Sequence, residues 1–219
     1  MALAASPATA ASDDSATAQR TGLDAASAAL LKGQAQVALD TIGPVIAAFE
    51  QAQASEKRRR FCGMTTVQTL AYMGMAASAK QDAVALGPDY CDALFVKGYA
   101  LVDLGRLPEA RATYERLVEL APMHAHFLTE LGQSYRPERN WAKMLELCER
   151  ASGYADLSAP ERVKREQGLA WRCMGYALSE QRKFDEAEAL YRKCLELDPN
   201  DAKAKNELRY IADQRRTPS

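Results

Sequence analysis

Two histidines, five cysteines and one run of four basic residues are the side chains of this 219-residue sequence whose types invite chemistry. The histidines stand as His124-Ala-His126, a pair that needs a third ligand before it holds a metal. No His-Glu-x-x-His and no paired Cys-x-x-Cys supplies one, so loop histidines are expected and no metal. No nucleophile sits in Gly-x-Ser-x-Gly, and no P-loop or Gly-x-Gly-x-x-Gly is present to cradle a phosphate. The expectation is therefore no catalytic residue, no cofactor and no enzyme. Lys57-Arg58-Arg59-Arg60 suits an acidic partner or nucleic acid, although four basic residues more often form a solvated face.

Charge balance narrows this further. Lys and Arg number 28 against 29 Asp and Glu, and the formal charge of -1 gives no global pull on nucleic acid or anionic lipid. No apolar run reaches the ~18 residues of a membrane-spanning helix. Residues 1–10 are apolar and small, with Ala8-Thr9-Ala10 like the end of a secretory leader but without a basic start. A leader remnant would place the protein in a periplasm, an Ala-rich tail would suit a cytoplasm, and both stay open. Residues 1–20 are expected to carry no structure, either disordered or remnant leader.

The elements that must position these groups are set by a repeat. Pro88 and Pro122 lie 34 residues apart, as do Gly98 and Gly132, whereas Gly175 follows Gly132 by 43 and Pro199 follows Pro122 by 77. Both later offsets exceed whole periods by nine, which places one nine-residue insertion between the third and fourth units. Trp171-x2-Met174-Gly175-x2-Leu178, Ala187-x3-Tyr191 and Pro199 form one copy; Leu94-x2-Lys97-Gly98-x2-Leu101, Ala110-x3-Tyr114 and Pro122 form another. Leu128-x2-Leu131-Gly132-x2-Tyr135, with Met144 and Cys148 following, is a weaker third. This pattern resembles the tetratricopeptide (TPR) family, in its bacterial type, whose unit is a helix-turn-helix of about 34 residues.

The resemblance implies an all-α fold: a right-handed α-solenoid of stacked antiparallel helix pairs, with about three clear repeats. The apolar spacing agrees. Phe184, Ala187, Leu190, Tyr191, Cys194, Leu195 and Leu197 recur at intervals of three and four, the stripe of one helix face. Residues 21–88 read as degenerate N-terminal helical repeats, 89–201 as TPR repeats with the insertion at about 152–167, and 202–219 as a capping helix and tail. Gly43-Pro44 is expected to break or kink the second N-terminal helix. A helix over about 65–80 turns Val67, Leu70, Ala71, Met75 and Ala79 to one face, with no partner assignable. Ser158 to Glu161 reads as a capping box that starts a long helix near 159, its charged extension 161–167 a solvated end or a wall beside the groove.

Five cysteines leave at least one thiol unpaired. Cys148, Cys173 and Cys194 fall at core positions and are expected to be buried thiols; in an oxidising compartment Cys62 with Cys91, which bracket the irregular unit, is the expected bridge. The His124/His126 junction is expected to lie near Cys91, one repeat earlier in the stack.

The resemblance further implies that first helices line a concave face which binds peptides or proteins. Carried over position by position, that face comprises Asp92, Phe95, Tyr99 and Val102, then His126, Thr129, Gln133 and Arg136, then Arg172, Tyr176 and Ser179. Phe95 and Tyr99 occupy positions where the chaperone-tail clamp of this family needs Lys and Asn, which disfavours that role. Three functions remain: an adaptor gripping a peptide or partner protein, perhaps envelope- or secretion-associated; an immunity- or antitoxin-type protein neutralising one toxic enzyme; and a self-assembling scaffold. No nucleic-acid partner is expected, and the oligomeric state, monomer or weak homodimer, stays open.

Overall fold

The computed structural model describes residues 7–216, with side chains from residue 15. Residues 1–6 and 217–219, which include the start of the leader-like segment and the end of the tail, lie outside the described residues. Four antiparallel helix pairs stack in chain order: α1 (Pro7–Leu31) on α2 (Ala35–Ala52), α4 (Asp89–Asp103) on α5 (Leu107–Leu120), α6 (Ala125–Gln133) on α7 (Trp141–Tyr154), and α8 (Val163–Glu180) on α9 (Phe184–Leu197). Helix α10 (Ala202–Arg216) packs on α9 and α8 and closes the stack. The fold is the α-solenoid that the repeat implies.

Each pair meets where a helix can come no closer. A Cβ built on Gly98 would lie 2.5 Å from the Tyr114 ring, one on Gly175 2.8 Å from the Tyr191 ring, and one on Gly132 2.7 Å from Cys148 Sγ. Those partners are buried, at 1%, 0% and 0% exposure, so they have nowhere to retreat. A mid-helix glycine loses about 1 kcal/mol of propensity relative to alanine, and burial of an aromatic ring returns about 2–3 kcal/mol. Between paired helices the chain turns through left-handed residues, Gly33 and Gly105 at φ 72°, where glycine carries no steric penalty.

The N-terminal third departs from the sequence reading in four respects. Helix α1 extends back to Pro7, through residues expected to lack structure. Helix α2 is continuous through Pro44, because Ile42, Val45 and Ile46 are buried on both sides of it and hold the segment helical despite the missing donor. Between α2 and α4 the chain forms a small parallel β-α-β unit: β1 (Arg59–Cys62), α3 (Thr66–Ser78) and β2 (Ala83–Leu86), in register Arg59 to Ala83 through Cys62 to Leu86. Since α2 packs directly on α4, this unit is a side branch and does not interrupt the stack.

The fourth departure is the face of α3. Gln68, Tyr72 and Ala76 point inward, whereas Val67 and Leu70 are 55% and 67% exposed. Tyr72 decides the orientation: its ring stacks on Phe61 with centroids 5.2 Å apart, and its hydroxyl accepts a hydrogen bond from the Met123 amide at 3.3 Å. The branch is also pinned by Thr65, whose hydroxyl caps α3 at the Gln68 amide and donates to the Leu157 carbonyl at 3.0 Å.

Two disulfides tie the fold together. Cys62 of β1 bonds Cys91 of α4, the pairing expected for an oxidising compartment. Cys148 of α7 bonds Cys173 of α8, in place of the two buried thiols that the stripe positions suggest; helices α7 and α8 bring their Cα atoms to 6.0 Å, within bridging range. Cys194 alone is a free, buried thiol among the described residues, its pKa pushed up to about 11 by burial. Helix α8 begins at Val163 and not near 159, after a turn in which the Arg162 amide bonds the Ala159 carbonyl. Ser158 caps nothing there, so the capping box is not formed.

Two measurements check this packing. Gly98→Ala and Gly175→Ala are each expected to destabilise by about 1–3 kcal/mol in urea unfolding, against their gain in propensity. Gly74→Ala on the open face of α3, where no atom lies within 4 Å, is expected to stabilise by about 0.5–1 kcal/mol. Titration of the denatured, unreduced chain should reveal one reactive thiol, and all five after reduction.

Candidate functional site

First helices of successive pairs share one side of the stack, and their side chains enclose an open cavity of about 540 Å³. Tyr99 of α4 and His126, Glu130 and Gln133 of α6 form one wall; Arg165, Leu169, Arg172 and Tyr176 of α8 form the other. Arg136, in the turn after α6, and Lys203 and Glu207 of α10 close the rim. The spacing explains the convergence. Residues 165, 169, 172 and 176 advance by three or four along α8 and so share a face, as do 126, 130 and 133 on α6.

A buried polar network underlies this wall. The Tyr99 hydroxyl donates to Glu130 at 2.8 Å, and His126 Nε2 lies 3.2 Å from the same carboxylate. Arg162 lies 3.1 Å from Glu166 and 3.4 Å from His126 Nδ1, so both ring nitrogens have a polar neighbour. Glu166 is 1% exposed: this part of the charged extension folds inward and is not a solvated end. Burial, with the Glu130 carboxylate beside it, raises the Tyr99 pKa, which keeps the hydroxyl a donor.

The aromatic residues orient the cations. Arg136 lies over the Tyr176 ring at 4.0 Å, and Trp141 meets the edge of that ring with centroids 5.8 Å apart. Arg172 is fixed by an ion pair with Asp201. Burial works to raise the Asp201 pKa, but the Ala204 amide and Arg172 outweigh it and hold the carboxyl low.

Of the eleven residues carried over from the repeat positions, Tyr99, His126, Gln133, Arg136, Arg172 and Tyr176 line this cavity. Val102, 39% exposed, lines an adjoining cavity of about 300 Å³ with Leu107, Tyr114 and Pro137. The other four line neither cavity. Thr129, 0% exposed, donates its hydroxyl to the Ala125 carbonyl, and Ser179, 4% exposed, faces the interior. Phe95 packs against Tyr99, His126 and Phe127 and supports the wall from behind. Asp92 stands half-buried near Asp89, and burial raises its pKa.

Glu130, Arg165, Lys203 and Glu207 were not singled out from the sequence. Arg165 stands seven residues before Arg172 on the same helix face, a readable signal; Lys203 and Glu207 reach the groove only because α10 folds over α8. The histidine junction is also explained. Cys91 is bonded to Cys62, and His124 Nδ1 accepts the Phe127 amide at 3.3 Å as the N-cap of α6. Among the described residues no cluster of three or more His, Cys, Asp or Glu is placed to hold a metal, and no helix is long and apolar enough to cross a membrane.

These repeats match the Tetratricopeptide repeat family over residues 70–125, 95–155 and 168–201, together more than half of the chain. The chain belongs to that family. Among solved structures it is similar to the first TPR of Spaghetti (RPAP3) bound to HSP90 peptide SRMEEVD, at 25% identity over 58% of this chain and 94% of that one, with a TM-score of 0.50. It is also similar to MamA 41-end from Desulfovibrio magneticus RS-1, at 14% identity over 91% and 86% of the two chains, with a TM-score of 0.58. A third likeness is to MamA MSR-1 C2, at 17% identity over 92% and 87%, with a TM-score of 0.56. The two MamA likenesses concern the fold alone. No curated protein matches the chain.

Burial lowers the His124 pKa from 6.5 to about 3, with His126 and Arg162 adding repulsion. The folded chain thus refuses a proton that the unfolded chain accepts below about 6.5. His124 therefore leaves stability unchanged above pH 6.5 and removes it progressively from there toward 3, at up to ~1.4 kcal/mol per pH unit. His124→Asn, which retains a cap acceptor, is expected to flatten this acid limb in urea midpoints measured between pH 4 and 7 relative to the parent protein.

Proposed function

We propose that the protein is a non-catalytic interaction module that holds a segment of a partner protein in the groove between α4, α6, α8 and α10. The observation that carries this reading is the open cavity of about 540 Å³ on the shared side of the first helices, faced by Tyr176 under Arg136 and by Gln133 and Arg172. Tyr and Arg held by their neighbours give contact area and directional hydrogen bonds at little cost in side-chain entropy, the composition of binding hot spots. The likeness to a TPR domain holding a peptide supports the same use of this face. The walls themselves are stiff, because a glycine contact fixes each helix to its partner and the Tyr99–Glu130–His126 network fixes α4 to α6. A partner is thus met by a preformed surface, which spares the ordering cost of a mobile one.

Capture from lysate of the source organism, with the protein and an Arg136→Ala/Tyr176→Ala variant as baits, tests the reading. Arg136 stands at the rim and Tyr176 half-buried in the wall, so urea unfolding of the variant is measured alongside and is expected to show a cooperative transition. A partner retained by the parent and depleted at least about tenfold by the variant supports the groove. Equal retention by both baits refutes it.

A further inference from the structure

The C-terminal end of the groove carries positive charge that its own carboxylates do not neutralise, and the residues responsible lie outside the repeat motif. Arg165 stands in the first turn of α8, in the stretch that the nine-residue insertion adds, and Lys203 in the first turn of the capping helix α10. Both are exposed, both line the 540 Å³ cavity, and among the described residues neither side chain makes a hydrogen bond or ion pair. Together with Arg172 they also line a second cavity of about 430 Å³, which continues the trough between α8 and the turn from α9 to α10.

Three of the four acids lining this trough already accept hydrogen bonds. Glu130 accepts Tyr99 and His126, and Asp201 pairs with Arg172 and accepts the Ala204 amide. Asp198 accepts the Asn200 amide; Glu207 makes no ion pair among the described residues, and burial raises its pKa against the attraction of Arg136. Two cations without an ion pair in one cleft attract a carboxylate, since an ion pair formed in a cleft is screened less than one on an open surface. At the other end the trough shares Glu130, Gln133 and Arg136 with the apolar cavity beside Val102 and Leu107, which are 39% and 36% exposed. A strongly charged polyanion would meet Glu130 in the wall and Glu207 at the rim; a chain that alternates carboxylates with apolar side chains meets complementary surface at both ends.

We propose that this trough recognises an extended acidic segment of the partner protein, its carboxylates paired with Arg165 and Lys203 and a bulky apolar side chain seated beside Val102 and Leu107. The inference rests on the groove reading above and names the chemistry of its occupant. It places specificity in the insertion and the cap, the two places where this chain leaves its repeat, and not at Phe95, which packs behind the wall, or Tyr99, whose hydroxyl is held by Glu130.

The experiment is selection from a displayed library of random peptides on the immobilised full-length chain, with three variants in parallel: Arg165→Glu/Lys203→Glu, Arg165→Lys/Lys203→Arg and Arg136→Ala/Tyr176→Ala. The parent is expected to enrich Asp and Glu with a bulky apolar residue at fixed spacing. Charge reversal should weaken the best peptide by about tenfold or more, and the charge-preserving variant should retain it. A pool without acid preference that is still lost in Arg136→Ala/Tyr176→Ala overturns this inference and leaves the groove reading standing. A pool indifferent to all three variants overturns both. A labelled single-stranded oligonucleotide that displaces the selected peptide at about 0.15 M salt overturns it in favour of nucleic acid.

Discussion

Close approach of two helices at a glycine is the constraint on which the rest of the molecule depends. Gly98, Gly132 and Gly175 each face the residue sixteen positions later: Tyr114, Cys148 and Tyr191. That offset is the geometry of one helix, one tight turn and the return helix. Because it is the same in three pairs, the first helices fall on one side of the stack and their outward positions converge. In the pair where the facing residue is Cys148 and not a tyrosine, the missing ring volume is offset by a covalent link to Cys173 on the next pair. The weakest copy of the repeat is thus the one that is cross-linked to its neighbour.

The groove follows from this frame with few additional devices. Phe95 and Phe127 back the wall, Tyr99 spans from α4 to α6, and Arg162 spans from α8 to α6. Side chains that the repeat positions nominate for binding are in several cases consumed by such spans. His126, 3% exposed, is more a keystone than a contact. The surface left to a partner is formed by longer side chains at the rim, whose heads stay in water while their stems cover the helices.

Much of this was legible in the sequence because it is periodic. Glycine and proline spacing marked the repeats, and the bracketing of an irregular unit named Cys62 and Cys91. What escaped was non-periodic or distant. Four-residue strands such as Arg59–Cys62 and Ala83–Leu86 pair across a helix and carry too little pattern to announce themselves. The aliphatic stripe of α3 was the plausible inner face until Tyr72 met Phe61, a contact no local rule contains. Thr129 and Ser179 sit at groove-facing positions of the motif yet are buried by neighbouring helices. Lys203 belongs to the groove because a helix 31 residues beyond Arg172 folds back beside it.

The two cystines also give the molecule a mechanical character that a plain solenoid lacks. Under tension applied at its ends, a stack held only by neighbour contacts pays out its whole contour, pair by pair. Here the chain between Cys62 and Cys91 and that between Cys148 and Cys173 are covalently shunted, with separations of 29 and 25 residues. The slack in both loops is unavailable to a pulling force, and the second shunt crosses from α7 to α8, on the floor of the groove. Tension at the ends would peel α1 and α10 first, and with α10 the groove would lose Lys203 and Glu207 from its rim while both shunted loops stay closed.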